Sequence, residues 1–187
     1  MNEINISNLL QGYLPKVTDI PNELLASMKV QNLPKGKVLI KEGRILSKIY
    51  YVIKGGARSY YLKDGIEICS WFGFEKDILG SLQSFAGKGS LETIELLEDS
   101  QLIEVDLNKV NALLNTSLAA NIFVRKLIEE HALFLEERIY HLQFMTAMDR
   151  YVMLLDNEPE LFQRVSLTYI ASYLGIRRET LSRLRAK

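Results

Sequence analysis

The sequence predicts a protein of the α+β class with three successive regions: a rolled β-structure, a long helix and a terminal pair of short helices. Nine of its 11 glycines fall between residues 36 and 106, where they separate short apolar or alternating runs. No glycine occurs from Ser117 to Leu174. The next one, Gly175, is followed by a basic segment at the end of the chain. These changes in glycine use and apolar spacing fix the order of the regions.

The first region is typical of antiparallel β-structure. Its apolar or alternating runs are VLI, KIYYVI, ARSYYL, IEICSWF, TIELL and QLIEVD. Runs of this length, bounded by glycine, predict strands joined by tight turns. Their near-regular spacing favours a closed or rolled sheet with a pocket inside over an open sheet. A short helix is expected before them, around Pro21 to Met28.

A long helix is predicted after Ser117, because the segment that follows is rich in Leu, Ala, Glu, Arg and Met. Apolar residues recur in it at steps of four and three, the spacing of a coiled-coil seam. The seam residues are Ile128, Ala132, Leu135, Ile139 and Leu142. A helix that packs on the β-region would also explain so short a seam. Charged residues on its other sides favour pairing of two copies as a two-fold dimer.

Shorter helices are predicted towards the chain end. One runs from about Thr146 to Asn157, since Pro159 stops it. Ser166 is then a good N-cap for a helix with apolar residues at helical spacing, and Gly175 breaks this helix before another begins. Two short helices joined at a glycine predict a helix-turn-helix.

The last predicted helix has an apolar back and a polar front. At about 100° per residue, Leu181 and Leu184 fall opposite an arc of polar side chains. The arc consists of Arg178, Glu179, Ser182 and Arg183. In the DNA major groove an arginine can donate two hydrogen bonds to guanine, and a glutamate can accept one from cytosine. A solvated basic face would have a similar composition, but the capped helix and the glycine joint before it favour a DNA-reading helix.

Charge is distributed unevenly along the chain. The whole sequence has 23 Lys and Arg against 23 Asp and Glu, which argues against a general polyanion binder. From Arg164 to Lys187, however, six basic side chains stand against Glu179 alone. The end of the chain therefore has the charge of an anion-binding surface.

Composition excludes several classes of site. The single cysteine, Cys69, rules out an intrachain disulfide and any cysteine-based zinc or iron–sulfur site, and its strand pattern predicts a small buried side chain. No run approaches the roughly 18 apolar residues of a membrane span and the N-terminus lacks a signal-peptide pattern, so a cytoplasmic protein is expected. No set of nucleophile, base or metal ligands indicates an enzyme, and no cofactor or metal is expected.

The sequence resembles the Crp/Fnr family of bacterial transcription regulators, named in part for the cyclic-AMP receptor protein. LGIRRETLSRLR is similar to the family's recognition segment, and KGKVLIKEGRILSKIYYVIKGGARSYY has the family's order of strands and glycines. The resemblance covers nearly the whole chain. It implies a cyclic-nucleotide-binding-like sensor β-roll at residues 1–116, a central dimerisation helix at 117–145 and a helix-turn-helix DNA-binding domain of the winged-helix type at 146–187.

The resemblance also implies which residues and partners take part in DNA binding. Base-edge contacts are implied for Arg178, Glu179 and Arg183. Phosphate-contacting or helix-capping roles are implied for Ser166, Thr168 and Thr180. The expected DNA-binding set is completed by Arg177, Ser182 and Lys187. The implied partners are a second copy of the chain, a pseudo-palindromic DNA duplex and RNA polymerase, with no membrane.

The sensor region departs from the family in its ligand motif. Cyclic-nucleotide-binding members have a Gly-Glu-Leu segment and an arginine that holds the cyclic phosphate, whereas this chain has Gly80-Ser81-Leu82 and Leu91-Glu92. A buried phosphate without a cation has a large desolvation cost, so cyclic AMP and cyclic GMP are poor candidates. The resemblance places any pocket for an unidentified small-molecule effector at Gly80, Ser81, Leu82, Leu91, Glu92, Thr93, His131 and Leu135.

Two other interpretations stay open. Haem would need an axial ligand, but His131 and His141 lie in the predicted central helix, where a histidine is more often a surface or interhelix residue. The main alternative to a DNA-binding regulator is a small-ligand-binding β-roll whose C-terminal helices contact another protein. Most aromatic side chains of the β-region are expected to pack in its core rather than line a pocket. They are Tyr50, Tyr51, Tyr60, Tyr61, Trp71, Phe72, Phe74 and Phe85.

Overall fold

The computed structural model describes residues 28–186. The short helix expected around Pro21 to Met28 therefore lies outside the described residues except for its last position. The predicted β-region contains the strands β1 Lys29–Leu33, β2 Val38–Ile40, β3 Lys48–Lys54, β4 Ala57–Lys63, β5 Ile66–Gly73, β6 Ile78–Leu79, β7 Thr93–Leu96 and β8 Ser100–Asp106. The six runs picked out in the sequence are all strands, and β1 and β6 were not predicted.

The strands form two four-stranded antiparallel sheets, in the orders β1-β8-β3-β6 and β2-β7-β4-β5. The rolled arrangement predicted from the sequence is thus confirmed as two facing layers. Strand β1 is an added edge, paired with β8 from Lys29 opposite Glu104 to Leu33 opposite Ser100. Its sequence, KVQNL, has only two apolar residues, which is why the run was missed.

The space between the sheets is filled by side chains from both layers. This core includes Ile40, Val52, Leu79, Ile94 and Leu102, each at most 1% exposed. Side chains alternate along a strand, so the opposite face of β3 and β8 presents a second apolar set. Ile49, Ile103 and Val105 of that set pack against the helices that follow the roll.

The helices that complete the fold are numbered in chain order. They are α1 Leu82–Phe85, α2 Leu107–Leu113, α3 Leu118–Phe144, α4 Ala147–Asn157, α5 Leu161–Arg164, α6 Leu167–Tyr173 and α7 Arg178–Arg185. The predicted long central helix is α3, and its N-cap Ser117 accepts a hydrogen bond from the Ala120 amide at 3.2 Å. Within residues 28–186, no helix combines the length and apolar character that crossing a membrane requires.

The sequence also predicted the start and end of α4. Thr146 and Asp149 form a capping box, in which each side chain accepts a hydrogen bond from the backbone amide of the other residue. Helices α4 to α7 share an apolar core that includes Leu154, Ile170, Leu174 and Leu181. They form the C-terminal module.

The C-terminal module lies against the open edge of β5. Strand β5 is the last strand in its sheet, so its outer backbone groups lack a neighbouring strand. The Ser172 hydroxyl of α6 replaces one: it accepts a hydrogen bond from the Cys69 amide at 2.9 Å and donates one to the Glu67 carbonyl at 3.1 Å. Phe72 and Tyr173 pack beside it with ring centroids 5.3 Å apart. One hydroxyl thus satisfies two edge groups and fixes the position of α6.

A second link between the roll and the module is made by Arg164, in the last turn of α5. Its guanidinium bonds the Glu75 carboxylate at 2.8 and 3.0 Å, the Glu98 carboxylate at 3.0 Å and the Gly55 carbonyl at 3.1 Å. Its hydrogen bonds hold the pKa of Glu75 at about 2, well below the usual value for a glutamate. This junction is therefore charged at neutral pH and sensitive to acid.

We predict that Glu75→Gln destabilises the protein by about 1 kcal/mol at neutral pH, since the ion pair is partly exposed. A carboxyl with a lowered folded-state pKa stabilises the protein above its unfolded pKa and loses that contribution as pH falls through its folded pKa. The difference between wild type and Glu75→Gln should thus be complete above about pH 5 and disappear near pH 2. Urea unfolding across this range measures it.

Glu129→Gln is the matched control, because Glu129 pairs with Arg125 on an exposed helix surface. It should change the free energy of unfolding by less than about 0.5 kcal/mol at any pH in the series. A Glu75→Gln effect that did not vary with pH would show that the ion pair does not stabilise the junction.

Candidate functional site

The last two helices form the predicted helix-turn-helix, with Gly175 at the joint. Gly175 has a φ of +69°, which suits glycine, and its amide donates to the Ser172 carbonyl at 3.0 Å. The Ile176 amide donates to the Ala171 carbonyl, also at 3.0 Å. This pair of bonds is a Schellman motif, which ends α6 and redirects the chain into α7.

The polar front of α7 faces solvent. Arg178, Glu179, Ser182 and Arg183 are all exposed, whereas Leu181 on the back is fully buried. The front and back predicted from helical spacing are thus confirmed. Arg177 is the N-cap and is exposed, and Thr180 is half-buried, with its hydroxyl 3.5 Å from Arg183 Nη2. The face available to a partner is therefore a row of two arginines with a glutamate and a serine.

The other residues expected to meet DNA occupy the start of α6. The Ser166 hydroxyl accepts a hydrogen bond from the Tyr169 amide at 3.4 Å, so Ser166 is an N-cap. Thr168 is exposed in the first turn of the same helix. Lys187 lies outside the described residues. The expected capping role is thus found for Ser166, and the structure assigns none to Thr168.

Arg150 of α4 holds the helix-turn-helix against the end of the central helix. Its Nε donates to the Leu174 carbonyl at 3.0 Å, and its Nη1 donates to the carbonyls of Met145 and His141 at 2.6 and 3.3 Å. The Leu174 and Met145 carbonyls lie at the ends of α6 and α3, where a helix leaves carbonyls without a helical partner, and the His141 carbonyl also accepts a hydrogen bond from the Met145 amide. A buried arginine thus ties the end of the long helix to the turn before α7.

The predicted seam of α3 is exposed in the single chain. Ile128, Leu135, Ile139 and Leu142 expose 41%, 39%, 56% and 45% of their surface, and Ala132 is exposed as well. A further exposed apolar group, absent from the sequence prediction, lies on another side of the helix: Leu133, Tyr140 and Phe144. The helix therefore offers two apolar surfaces, of which the seam lies nearer the body of the protein.

Two adjoining cavities separate α3 from the roll. The larger, of about 410 Å³, extends from Trp71 and Glu92 on the roll to Ser172 and Gly175 of the helix-turn-helix. The smaller, of about 290 Å³, lies against Ile49 and Phe85. Both are lined by Ser81, Leu82, Trp71, His131 and Phe134. We call the larger one the upper cavity.

The structure brings together most of the residues expected to form a pocket. Ser81, Leu82, Leu91, Glu92, His131 and Leu135 line the upper cavity. Gly80 lines only the smaller one. Thr93 lines neither; it is 5% exposed, and its hydroxyl accepts a hydrogen bond from the Glu42 amide at 3.2 Å. The side chain of Thr93 therefore faces the fold and supports the turn after β2.

Glu92 is the buried acid of the upper cavity, with 8% of the residue exposed. Its Oε2 accepts hydrogen bonds from Ser59 Oγ, from Trp71 Nε1 at 3.0 Å and from Ser70 Oγ at 3.5 Å. No ion-pair partner lies beside it among the described residues. Burial raises the pKa of Glu92 above the usual glutamate value, although these three donors act in the opposite direction.

Arg138 of α3 also lines the upper cavity and was not picked out in the sequence. Its Nη2 donates to the Tyr173 carbonyl, and its guanidinium stacks 3.9 Å from the centroid of the Tyr173 ring. Burial lowers its pKa. The sequence did contain a signal for this position: Arg138 comes seven residues after His131, which places both on the same side of a helix.

The aromatic prediction is correct for part of the β-region. Tyr50 and Tyr51 are buried in the roll, and Trp71 and Phe85 are partly buried against its apolar clusters. All but Tyr50 and Tyr51 are partly exposed, and four of them also serve other surfaces: Trp71 lines both cavities, Phe85 lines the smaller one, and Phe72 and Phe74 pack against the C-terminal module. Strand alternation could not reveal this, because the outer face of β5 is covered by helices that come about 100 residues later.

The prediction for Cys69 was correct. Cys69 is 2% exposed, and burial raises the pKa of its thiol, which makes a reactive thiolate unfavourable. Next to it, Arg58 is 3% exposed and bonds Glu67 and Glu95, both at 2.6 Å. The Arg58 guanidinium also lies 3.8 Å from the centroid of the Tyr169 ring of α6. Burial alone would lower the pKa of Arg58, but its two carboxylates raise it.

Comparison with known proteins shows which proteins this arrangement resembles. Residues 30–117 match the family model described as "Cyclic nucleotide-binding domain". No curated protein matches the sequence. FixK2 from Bradyrhizobium japonicum is similar in structure, with a TM-score of 0.75, 22% identity, and coverage of 85% of this chain and 83% of that chain.

Two further structures extend the similarity over more of the chain. A transcriptional regulator of the Crp/Fnr family from Eubacterium rectale has a TM-score of 0.74 and 21% identity, covering 92% of this chain and 85% of its own. The c-di-GMP responsive global regulator CLP of Xanthomonas campestris has a TM-score of 0.66 and 19% identity, covering 96% and 90%. Residues 30–117 thus resemble the cyclic nucleotide-binding domain, and the chain as a whole has the fold seen in these solved regulators.

Proposed function

We propose that this chain is a dimeric, sequence-specific DNA-binding transcription regulator of the Crp/Fnr type, and not an enzyme. The observation that carries the proposal is the exposed front of α7, held by an apolar back on a capped helix-turn-helix. We divide the chain into a sensor β-roll at residues 1–116, a dimerisation helix at 117–145 and a DNA-binding domain at 146–187. The partners are a second copy of the chain, a pseudo-palindromic duplex and RNA polymerase.

The front of α7 has the groups needed to read base edges. Arg178 and Arg183 can each donate two hydrogen bonds to a guanine, and Glu179 can accept one from a cytosine. None of these three is held in an ion pair among the described residues, so their charges are available to a duplex. Ser166, Thr168, Arg177 and Lys187 would contact phosphates, which position the helix without reading sequence.

Pairing through the seam of α3 supports recognition of a symmetric site. Burying four exposed aliphatic side chains from each of two copies removes a large apolar area from water. A two-fold pair would place two α7 helices on one duplex, with half-sites about one helical turn, roughly 34 Å, apart.

The roll is proposed as an effector domain that does not bind cyclic AMP. The buried carboxylate of Glu92 would repel a cyclic phosphate in the upper cavity, where charges are poorly screened. The cavity wall includes both α3 and the helix-turn-helix, so a bound molecule would contact both of them as well as the roll. An effector acts only by binding one arrangement of these parts more tightly than another.

We predict that Arg183→Ala costs about 1–3 kcal/mol of binding to the preferred duplex and relaxes selection at one base pair. Selection from a randomised duplex pool, followed by titration of the recovered sequence and of single-base variants, measures both effects. Arg125→Ala is the control, because Arg125 is an exposed arginine on the central helix, far along the chain from α7. It should leave affinity and preference unchanged.

If Arg183→Ala weakened binding to all duplexes equally, Arg183 would be a phosphate contact and not a base reader. A pool without any preferred sequence, released by modest salt, would contradict sequence-specific recognition. That result would favour the alternative in which the C-terminal helices contact a protein.

We predict that Ile139→Glu converts the dimer to a monomer, because the substitution would place two carboxylates opposite each other in the seam. Ile139 is 56% exposed in the single chain and lines neither cavity, so the variant should fold normally. Sedimentation equilibrium at micromolar concentration measures the assembly state, and circular dichroism measures the fold.

Leu133→Glu is the matched control, since Leu133 is 58% exposed on another side of α3. It should leave the dimer intact. If Leu133→Glu dissociated the dimer and Ile139→Glu did not, pairing would use the surface of Leu133, Tyr140 and Phe144 instead.

A further inference from the structure

We propose that the upper cavity binds a small organic ammonium ion with an apolar body, and that the Glu92 carboxylate receives its charged group. This inference deepens one part of the proposed function, the role of the roll as an effector domain, and rests on that part alone. It does not depend on DNA recognition, because the binding event involves no DNA. It assigns a ligand class to a cavity of about 410 Å³, a size that accommodates small molecules.

The first support is the state of Glu92 itself. Its three donors all bond Oε2, and among the described residues no cation balances the charge. Other acids along the same sheets have such a cation: Glu67 and Glu95 pair with Arg58, and Glu75 with Arg164. A desolvated carboxylate without a cation is costly, and an ammonium ion from the ligand would remove that cost.

The second support is the character of the walls. Trp71, Phe134 and Tyr61 line the cavity together with the aliphatic residues Leu82 and Leu135. Aromatic faces attract cations and also bury apolar groups. The lining thus suits a molecule whose charged end is small and whose body is aromatic or branched aliphatic.

Arg138 is the competing charge in this cavity, and it would favour an acid. Its guanidinium, however, already has the Tyr173 carbonyl and the face of the Tyr173 ring as partners. Glu92 has hydrogen-bond donors but no positive charge beside it among the described residues. The unmet electrostatic requirement therefore lies at Glu92, and a cationic ligand meets it.

The test uses three probes of matched shape that differ in charge. Phenethylamine is positive when protonated, phenethyl alcohol is neutral and hydrocinnamate is negative. Trp71 is the only tryptophan of the sequence and donates to Glu92, so its fluorescence reports occupancy directly. Isothermal titration without DNA gives the dissociation constants. At about pH 7.5 the amine is protonated, and it should bind at least about tenfold more tightly than the alcohol.

Glu92→Gln should abolish the preference for the amine over the alcohol, since the amide has nearly the same shape and no charge. Glu42→Gln, the same change at an exposed acid, should keep the preference. A pH series provides a second readout. Lowering the pH protonates Glu92, whose pKa is raised by burial, and adds charge to His131 in the same cavity, so affinity for the amine should fall while affinity for the alcohol stays constant. The fall should be smaller in Glu92→Gln, where only His131 contributes.

Three results would each overturn the proposal: no saturable binding of phenethylamine, equal affinity for amine and alcohol, or tighter binding of hydrocinnamate, which would assign the cavity to Arg138. A preference for the amine that survived in Glu92→Gln would overturn it as well. Because duplex selection is measured without any probe, failure here leaves the DNA-binding proposal standing, and failure of duplex selection leaves this one standing.

Discussion

The open edge of β5 is the constraint on which the arrangement of this protein depends. A sheet edge with unpaired backbone groups must be covered, and here the cover is the helix-turn-helix itself. Ser172 supplies two hydrogen bonds that a further strand would have made. Arg58 of the roll stacks on Tyr169 of α6, and Arg164 of α5 pairs with Glu75 of the roll, so these two contacts also fix the orientation of the module. The helix-turn-helix is therefore positioned by the β-roll, although the two are far apart in sequence.

The same contact explains why the wall of the upper cavity is formed by the roll, by α3 and by the helix-turn-helix together. Because α6 lies on β5, the turn at Gly175 reaches the space between the roll and α3, where Leu142 of the seam also lies. A methyl group added at Gly175 would lie 3.4 Å from Leu142 Cδ2, so the turn and the seam are in direct contact. The β-roll, the seam of α3 and the C-terminal module thus meet around one volume, so a molecule bound in it would contact all three. Under the proposed function, coupling between them would require no long pathway, because the sites share walls.

The sequence was sufficient for local features and insufficient for contacts between distant segments. The seam spacing, the starts of α3 and α4, the cap at Ser166 and the two faces of α7 follow from periodicity and short-range hydrogen bonding, which a single sequence displays. The role of Trp71 does not, because β5 has a covered outer face that alternation alone cannot identify. The family resemblance placed Thr93 in the pocket together with Glu92, yet adjacent residues of an extended chain point to opposite faces.

The exposed front of α7 has a consequence for how such a protein can diverge. Arg178, Glu179, Ser182 and Arg183 contribute nothing to the apolar core, which depends on Leu181 behind them. Substitutions along this row are therefore nearly neutral for folding, while under the proposed function each one would change the set of base pairs that is recognised. After gene duplication, two copies could then drift to different operators without repacking a single buried side chain. The residues that fold the helix and those proposed to read DNA occupy separate faces of one eight-residue helix.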